Sequence, residues 1–311
     1  MRWAAAFGRF ALAVGSACGG DPFMAADPGA ADGAGIDGAL TLGDGGPSGT
    51  AVGEATTPSA DSATTPSPCG PLRTGDARES CFDSLTFSMG SNDPNLGGQF
   101  ADHTPAHSVT LRAFAIDAYE VSVARYRACV SAGSCTAPAT GAQCTYTASP
   151  GAGESMPVVC VTWAQAGAFC QFEGHRLPTE AEWELAARGA TARSYPWGEI
   201  FDCSKAVVGA YPGGACSSYT GPSAVDAMGA GATPEQVFNL AGNAAEWVAD
   251  WMGSYRAGAQ TDPTGPATGS MKIVRGGSFS NTPTAALGYA RMPMSPTAVG
   301  SWGFRCARDP N

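Results

Sequence analysis

Phe238-Asn239-Leu240-Ala241-Gly242-Asn243-Ala244-Ala245-Glu246-Trp247 joins two amides and a carboxylate to a backbone-permissive glycine. Gly242 allows a sharp bend, so nearby carbonyls can converge on the point that the side-chain oxygens of Asn239 and Glu246 can reach. Calcium takes about six to eight hard oxygen ligands, and a turn of this composition can offer them. An ordinary Asn-Gly turn with a nearby Glu is the competing reading, so the weight falls on what surrounds the stretch.

Upstream stand Gly174-His175-Arg176-Leu177-Pro178-Thr179-Glu180-Ala181-Glu182-Trp183-Glu184-Leu185-Ala186-Ala187-Arg188-Gly189 and Tyr195-Pro196-Trp197-Gly198. Downstream stand Ile273-Val274-Arg275-Gly276-Gly277-Ser278-Phe279 and Gly303-Phe304-Arg305-Cys306-Ala307-Arg308. In this order the set resembles the formylglycine-generating enzyme family, the sulfatase-modifying factors, over residues 81–308. The resemblance implies an α+β fold: one compact, disulfide-rich domain of low regular secondary structure, related to C-type lectin-like domains. On this reading the domain spans residues 69–311.

The 311 residues leave room for one such domain and no second large core. A formal net charge of −10, with only 14% charged residues and no basic run, gives no footprint for nucleic acid or an anionic membrane surface. Residues 1–18 carry Arg2, an apolar stretch Phe10-Ala11-Leu12-Ala13-Val14 and then Gly15-Ser16-Ala17-Cys18, the pattern of an export signal. Small residues before Cys18 suggest lipoprotein processing, although Arg9 interrupts the apolar region and Gly15 replaces a larger aliphatic residue. The chain is therefore expected to be exported and held at the cell envelope by a lipid anchor. Residues 19–68 are mostly Gly, Ala, Asp, Ser, Thr and Pro with no Lys or Arg, a composition that cannot offset ordering entropy and reads as a tether. Its r.m.s. span would be roughly 40 Å.

Beyond Cys18, cysteines fall at 69, 81, 129, 135, 144, 160, 170, 203, 216 and 306, an even number with no CxxC pair, which favours disulfides over zinc. Short separations favour 69 with 81, 129 with 135, 144 with 160 and 203 with 216, while spacing alone leaves the connectivity open. The resemblance implies a bond from Cys170 to Cys306.

Alternation predicts a strand over residues 109–116, and Tyr126, Cys129 and Val130 predict a helix over residues 121–130. A further helix is expected after Thr162, with Ala166, Phe169 and Cys170 on one side and Gly174 at its end. Thr179 with Glu182 forms a capping-box pattern, so a helix should run to about Arg188 and stop at Gly189. Glu180, Glu182 and Glu184 are thus read as capping and packing residues rather than a pair of catalytic acids.

His103 and His107 could face one way on a helix, but Pro105 argues against one. The resemblance places His107 in a loop before the first strand. Val109 stands where the related iron-dependent sulfoxide synthases carry a Glu. Ser278 has no neighbouring His and no Gly-x-Ser-x-Gly elbow, which disfavours serine catalysis.

In the resembled family two cysteines after the Gly-Gly-Ser motif bind copper(I) and activate oxygen to turn a substrate Cys into formylglycine. Here those positions are Asn281 and Ala286, Thr282 replaces a frequent His, and Ala245 replaces a Trp of the pocket. Soft thiolates suit copper(I), and neither Asn nor Ala supplies one, so a copper centre is not expected. Calcium is expected at Asn239, Gly242, Ala244 and Glu246, the middle two through their carbonyls. A second calcium site is degraded, because Lys205-Ala206-Val207 lacks the Asn and only Asp226 remains. The expectation is a binding or scaffold module whose pocket, bordered by Ser278, Asn281 and Trp302, takes an unidentified peptide, saccharide or envelope protein. The alternative is an oxidoreductase that still makes formylglycine.

Overall fold

Alternating and fully buried runs build three small sheets in the computed structural model, which describes residues 67–93, 102–209 and 219–310. All of them belong to one compact unit, Ser62–Asn311. The expected export signal at 1–18, and the linker at 19–68 up to residue 66, lie outside the described residues. Among the described residues no helix is long and apolar enough to cross a membrane.

In the first sheet, β4 (Phe114–Asp117) lies between β1 (Glu79–Phe82) and β10 (Ala307–Arg308). In the second, β3 (His107–Leu111) lies between β2 (Leu85–Met89) and β6 (Gln260–Thr261). The third runs β8 (Arg291–Met294), β7 (Lys272–Arg275), β5 (Ala245–Trp251), β9 (Trp302–Gly303). The single strand expected over 109–116 is two strands in two different sheets. Alternation ends at Leu111, Arg112 turns outward with its amide on Asp262 Oδ1 at 2.9 Å, and the wholly buried run from Phe114 begins a new pairing.

The helices begin where side chains can satisfy orphan amides. Helix α1 (Val123–Ser131) starts two residues later than expected. Ser122 caps it by accepting from Arg125 N at 3.2 Å, while Val121 is held extended by its amide on Phe304 O at 2.9 Å. Helix α2 (Trp163–Phe172) carries a full capping box between Thr162 and Gln165, and α3 (Glu180–Arg188) carries one between Thr179 and Glu182. Gly189, at φ 62°, ends α3 in a conformation that favours glycine.

Helix α3 packs its buried face on β2, β3 and β5, with Trp183, Leu185, Phe114 and Ile273 in one apolar cluster. Its acids are wholly engaged. Glu180 accepts from Arg291 Nε at 2.6 Å and Arg275 at 3.1 Å, and Glu184 accepts from Arg275 at 2.6 Å, Arg188 at 2.5 Å and Gly90 N at 2.6 Å. Glu182 returns to the Thr179 amide and binds Arg176 through both oxygens at 2.7 Å.

Disulfides join Cys69 to Cys81, Cys129 to Cys135, Cys144 to Cys160 and Cys170 to Cys306. The last closes a separation of 136 residues and ties α2 to the segment before β10. The pair expected between Cys203 and Cys216 cannot be followed, because Cys216 lies outside the described residues.

Candidate functional site

The turn before β5 is bent by three residues in the left-handed region, Asn239 (φ 57°), Gly242 (φ 85°) and Asn243 (φ 63°). A Cβ on Gly242 would sit 2.4 Å from the Val207 carbonyl oxygen, so this position needs glycine for its φ and for its neighbour. The bend gathers the two amides around a carboxylate that the sequence reading passed over. Glu120, 0% exposed, accepts from Asn239 Nδ2 at 2.9 Å, from Asn243 Nδ2 at 2.9 Å and from the Ala244 amide at 3.1 Å. Burial, together with the nearby charge of Glu246, pushes the Glu120 carboxyl up to about 8. A signal was available in Ala118-Tyr119-Glu120-Val121, where one acid interrupts an apolar run and, if buried with it, must find partners.

Glu246 points the other way along the start of β5. It accepts from Arg305 at 2.6 and 2.7 Å and from the Trp183 indole at 2.8 Å, so Oε1 carries one bond and Oε2 two. Asn239 gives its amide nitrogen to Glu120 and to Val225 O, and its Oδ1 has no donor among the described residues. Asn239, Gly242, Ala244 and Glu246 thus share one turn, with an open amide oxygen and a carboxylate oxygen that keeps a lone pair. An all-oxygen set of this kind, with Glu246 as its one carboxylate, is compatible with calcium.

The second group of expected site residues lies on the other side of this turn, where the Phe279 amide bonds Asn243 O at 2.8 Å. Ser278 is fully buried and forms a hydroxyl node, with its Oγ at 2.7 Å from Asn281 Oδ1, 2.9 Å from Ser301 Oγ and 3.0 Å from Ser280 Oγ. Gly276 and Gly277 reach it with φ of 82° and 65°. Trp302 follows Ser301 on β9, opposite Ala245 of β5, and meets the Trp247 ring edge-on at 6.2 Å. Ala286 closes the short 3-10 helix Pro283–Ala286 that Thr282 precedes, and is buried against the cluster of Tyr195, Leu287 and Tyr289. No thiol stands at Asn281 or Ala286, and every cysteine among the described residues is disulfide-bonded.

The chain matches the sulfatase-modifying factor enzyme 1-like domain over residues 79–310. It is 33% identical over 279 residues to the formylglycine-generating enzyme of Thermomonospora curvata, covering 72% of this chain and 91% of that protein. It is 36% identical over 179 residues to the inactive C-alpha-formylglycine-generating enzyme 2 of Mus musculus, covering 51% of this chain and 53% of that one. The structure of PvdO from Pseudomonas aeruginosa superposes with a TM-score of 0.59 at 26% identity, covering 74% of this chain and 94% of PvdO. With the motifs, the fold and the full-domain match in agreement, this chain belongs to the sulfatase-modifying factor family.

Proposed function

We propose that this domain is a non-catalytic binding or scaffold module, carried by an exported protein that a lipid anchor holds at the bacterial cell envelope. One observation carries the reading: the two positions that would bind copper(I) are Asn281 and Ala286, and the described cysteines are all committed to disulfides. Asn281 is engaged with the Ser278 hydroxyl and Ala286 is packed in an apolar cluster, so neither offers a soft ligand. The mouse relative whose name marks it as inactive supports the idea that the fold outlives the chemistry. The node of Ser278, Asn281 and the neighbouring Trp302 is the proposed recognition surface for a peptide, a saccharide or an envelope protein. Asn239, Gly242, Ala244 and Glu246 would hold a structural calcium ion beneath it.

The second reading is an oxidoreductase that converts a substrate Cys to formylglycine, and the name of the Thermomonospora relative favours it. The deciding experiment incubates the purified domain, preloaded with copper(I), with a Cys-x-Pro-x-Arg peptide under oxygen and follows the peptide by mass spectrometry. No conversion beside a working control is expected; an aldehyde product would reverse the proposal. For calcium, melting is expected to shift upward on adding the ion back after chelator treatment, and E246Q should lose that shift. Equal melting with chelator and with calcium would remove the ion from the account.

A further inference from the structure

A separate cleft opens at the far end of β5. It encloses about 500 Å³, with walls from Met89 on β2, His107 on β3, Glu180 on α3, Asp250 on β5, Tyr255 and Arg291. Since Ala245 pairs with Trp302 at the start of β5, about 3.3 Å per residue puts the cleft roughly 15 to 20 Å along that strand. The sequence reading gave neither His107 nor Asp250 a role here.

Several of its polar groups are already satisfied. The Arg291 guanidinium spends its donors on both Glu180 oxygens at 2.6 and 2.8 Å and on the carbonyls of Asp102 and Gly253 at 2.8 and 2.9 Å. It also lies 4.0 Å over the Tyr255 ring, against whose plane His107 packs edge-on at 4.9 Å. Two acceptors that open on the cleft remain without a protein donor among the described residues. Asp250 is 5% exposed, and its Oδ2 takes the Glu180 amide at 2.8 Å while its Oδ1 has no donor among the described residues. His107 is 6% exposed, and its Nδ1 lies 3.0 Å from the Pro105 carbonyl oxygen. A carbonyl only accepts, so Nδ1 carries the hydrogen and Nε2 keeps a lone pair with no donor among the described residues. The nearest lysine does not fill the gap, since Lys272 Nζ donates to Ala249 O at 2.7 Å and is clamped between Trp163 and Trp251 at 3.8 and 3.9 Å.

We propose that this cleft binds a small organic cation through its ammonium or guanidinium group, whose N–H donors Asp250 Oδ1 and His107 Nε2 accept. A ligand of this class supplies both missing hydrogen bonds and the countercharge that Asp250 lacks in an ion pair. The proposal goes beyond the role given to Ser278 and stands whether or not that node turns over a thiol. Burial, with Glu180 beside it, holds the Asp250 carboxyl up to about 7, with Glu182 adding to this effect and Arg291 opposing it. A bound cation favours the ionised form, so affinity should rise between about pH 6 and 8. Lys272 and His107 also face this carboxyl. Arg256 lines the rim, exposed and without an ion-pair partner among the described residues, and it repels a cation.

The test is calorimetric titration with N-acetyl-arginine amide, N-acetyl-lysine amide and, as a neutral isostere of the first, N-acetyl-citrulline amide. At least one cation should bind saturably, about tenfold or more tighter than citrulline, with a similar loss in D250N and some tightening in R256A. D250N keeps an acceptor for the Glu180 amide, and circular dichroism checks its fold. If it does not fold, H107F, which keeps a ring against Tyr255, should show the loss instead. Absence of saturable binding, equal binding of citrulline, or binding that survives both variants and disappears in S278A would each overturn the assignment.

Discussion

Glu184 and Glu120 are both completely buried acids, one in the α3 core and one behind the turn before β5, and they titrate in opposite directions. Burial pushes each carboxyl up. For Glu184, Arg275 and Arg188 outweigh that push and hold it below the usual range. Glu120 accepts from three neutral N–H donors and from no guanidinium, and burial with the charge of Glu246 outweighs the pull of the nearby Arg305, so its carboxyl rises to about 8. The difference lies in the partner's charge, because hydrogen bonds alone do not offset desolvation together with a like charge. Motif residues have thus gone to two ends: the Arg-Leu-Pro-Thr-Glu segment supplies ion pairs that lock the core, and the Asn-Gly turn surrounds an acid that has no direct ion pair.

The strongest way to break this contrast is to remove the cation from the α3 core. R275M should cost about 3 to 5 kcal/mol, because it strips a guanidinium from Glu180 and Glu184 together and leaves buried charge undercompensated. Urea unfolding followed by tryptophan fluorescence measures it. A loss below about 1 kcal/mol would mean that Arg188 and Arg291 suffice for the two acids, and the distinction between the regions would shrink.

For Glu120 the sign runs the other way. Its folded pKa is raised, so between about 4.5 and 8 the folded state holds a proton that the unfolded chain has released, and stability falls as pH rises through that window. The loss attributable to this one group should be on the order of a few kcal/mol by pH 8. E120Q removes the titration, so its stability profile in EGTA should be flatter than that of the wild type. Parallel profiles would mean that Glu120 stays ionised and that the turn stabilises a carboxylate after all.

What the sequence made legible follows the range of each interaction. Thr162, Thr179, Gly174 and Gly189 mark helix ends through contacts within a few residues, and the structure uses them so. Gly242 announced a bend for the same local reason. Glu120 did not announce its role, because its donors lie 119 to 124 residues further along the chain. Asp250 and His107 likewise gain meaning only when β3, α3 and β5 meet around one cleft. The break between β3 and β4 was hidden because apolar residues continue on both sides of Arg112 while the pairing partners change. A local signal also predicts a local cost: T179A, which deletes the α3 cap on the Glu182 amide, should lose about 1 kcal/mol in the same urea titration. A loss as large as that of R275M would show that the cap is coupled to the ion pairs behind it.

The comparison also predicts where a charge should hardly matter. Arg112 approaches Asp262 at 3.6 Å, but its side chain is 64% exposed and that of Asp262 is 32% exposed. Water stabilises both charges before they meet, and holding a long side chain in one geometry costs entropy, so R112A should change stability by about 0.5 kcal/mol or less. Asp262 Oδ1 would still accept the backbone amide at position 112, which preserves the break between β3 and β4. The small effect should also vanish in high salt, because the screening length falls to about 3 Å near 1 M. A larger loss that persists in salt would assign Arg112 a packing role through its aliphatic stem, where it lines the smaller cleft beside Leu111 and Pro263.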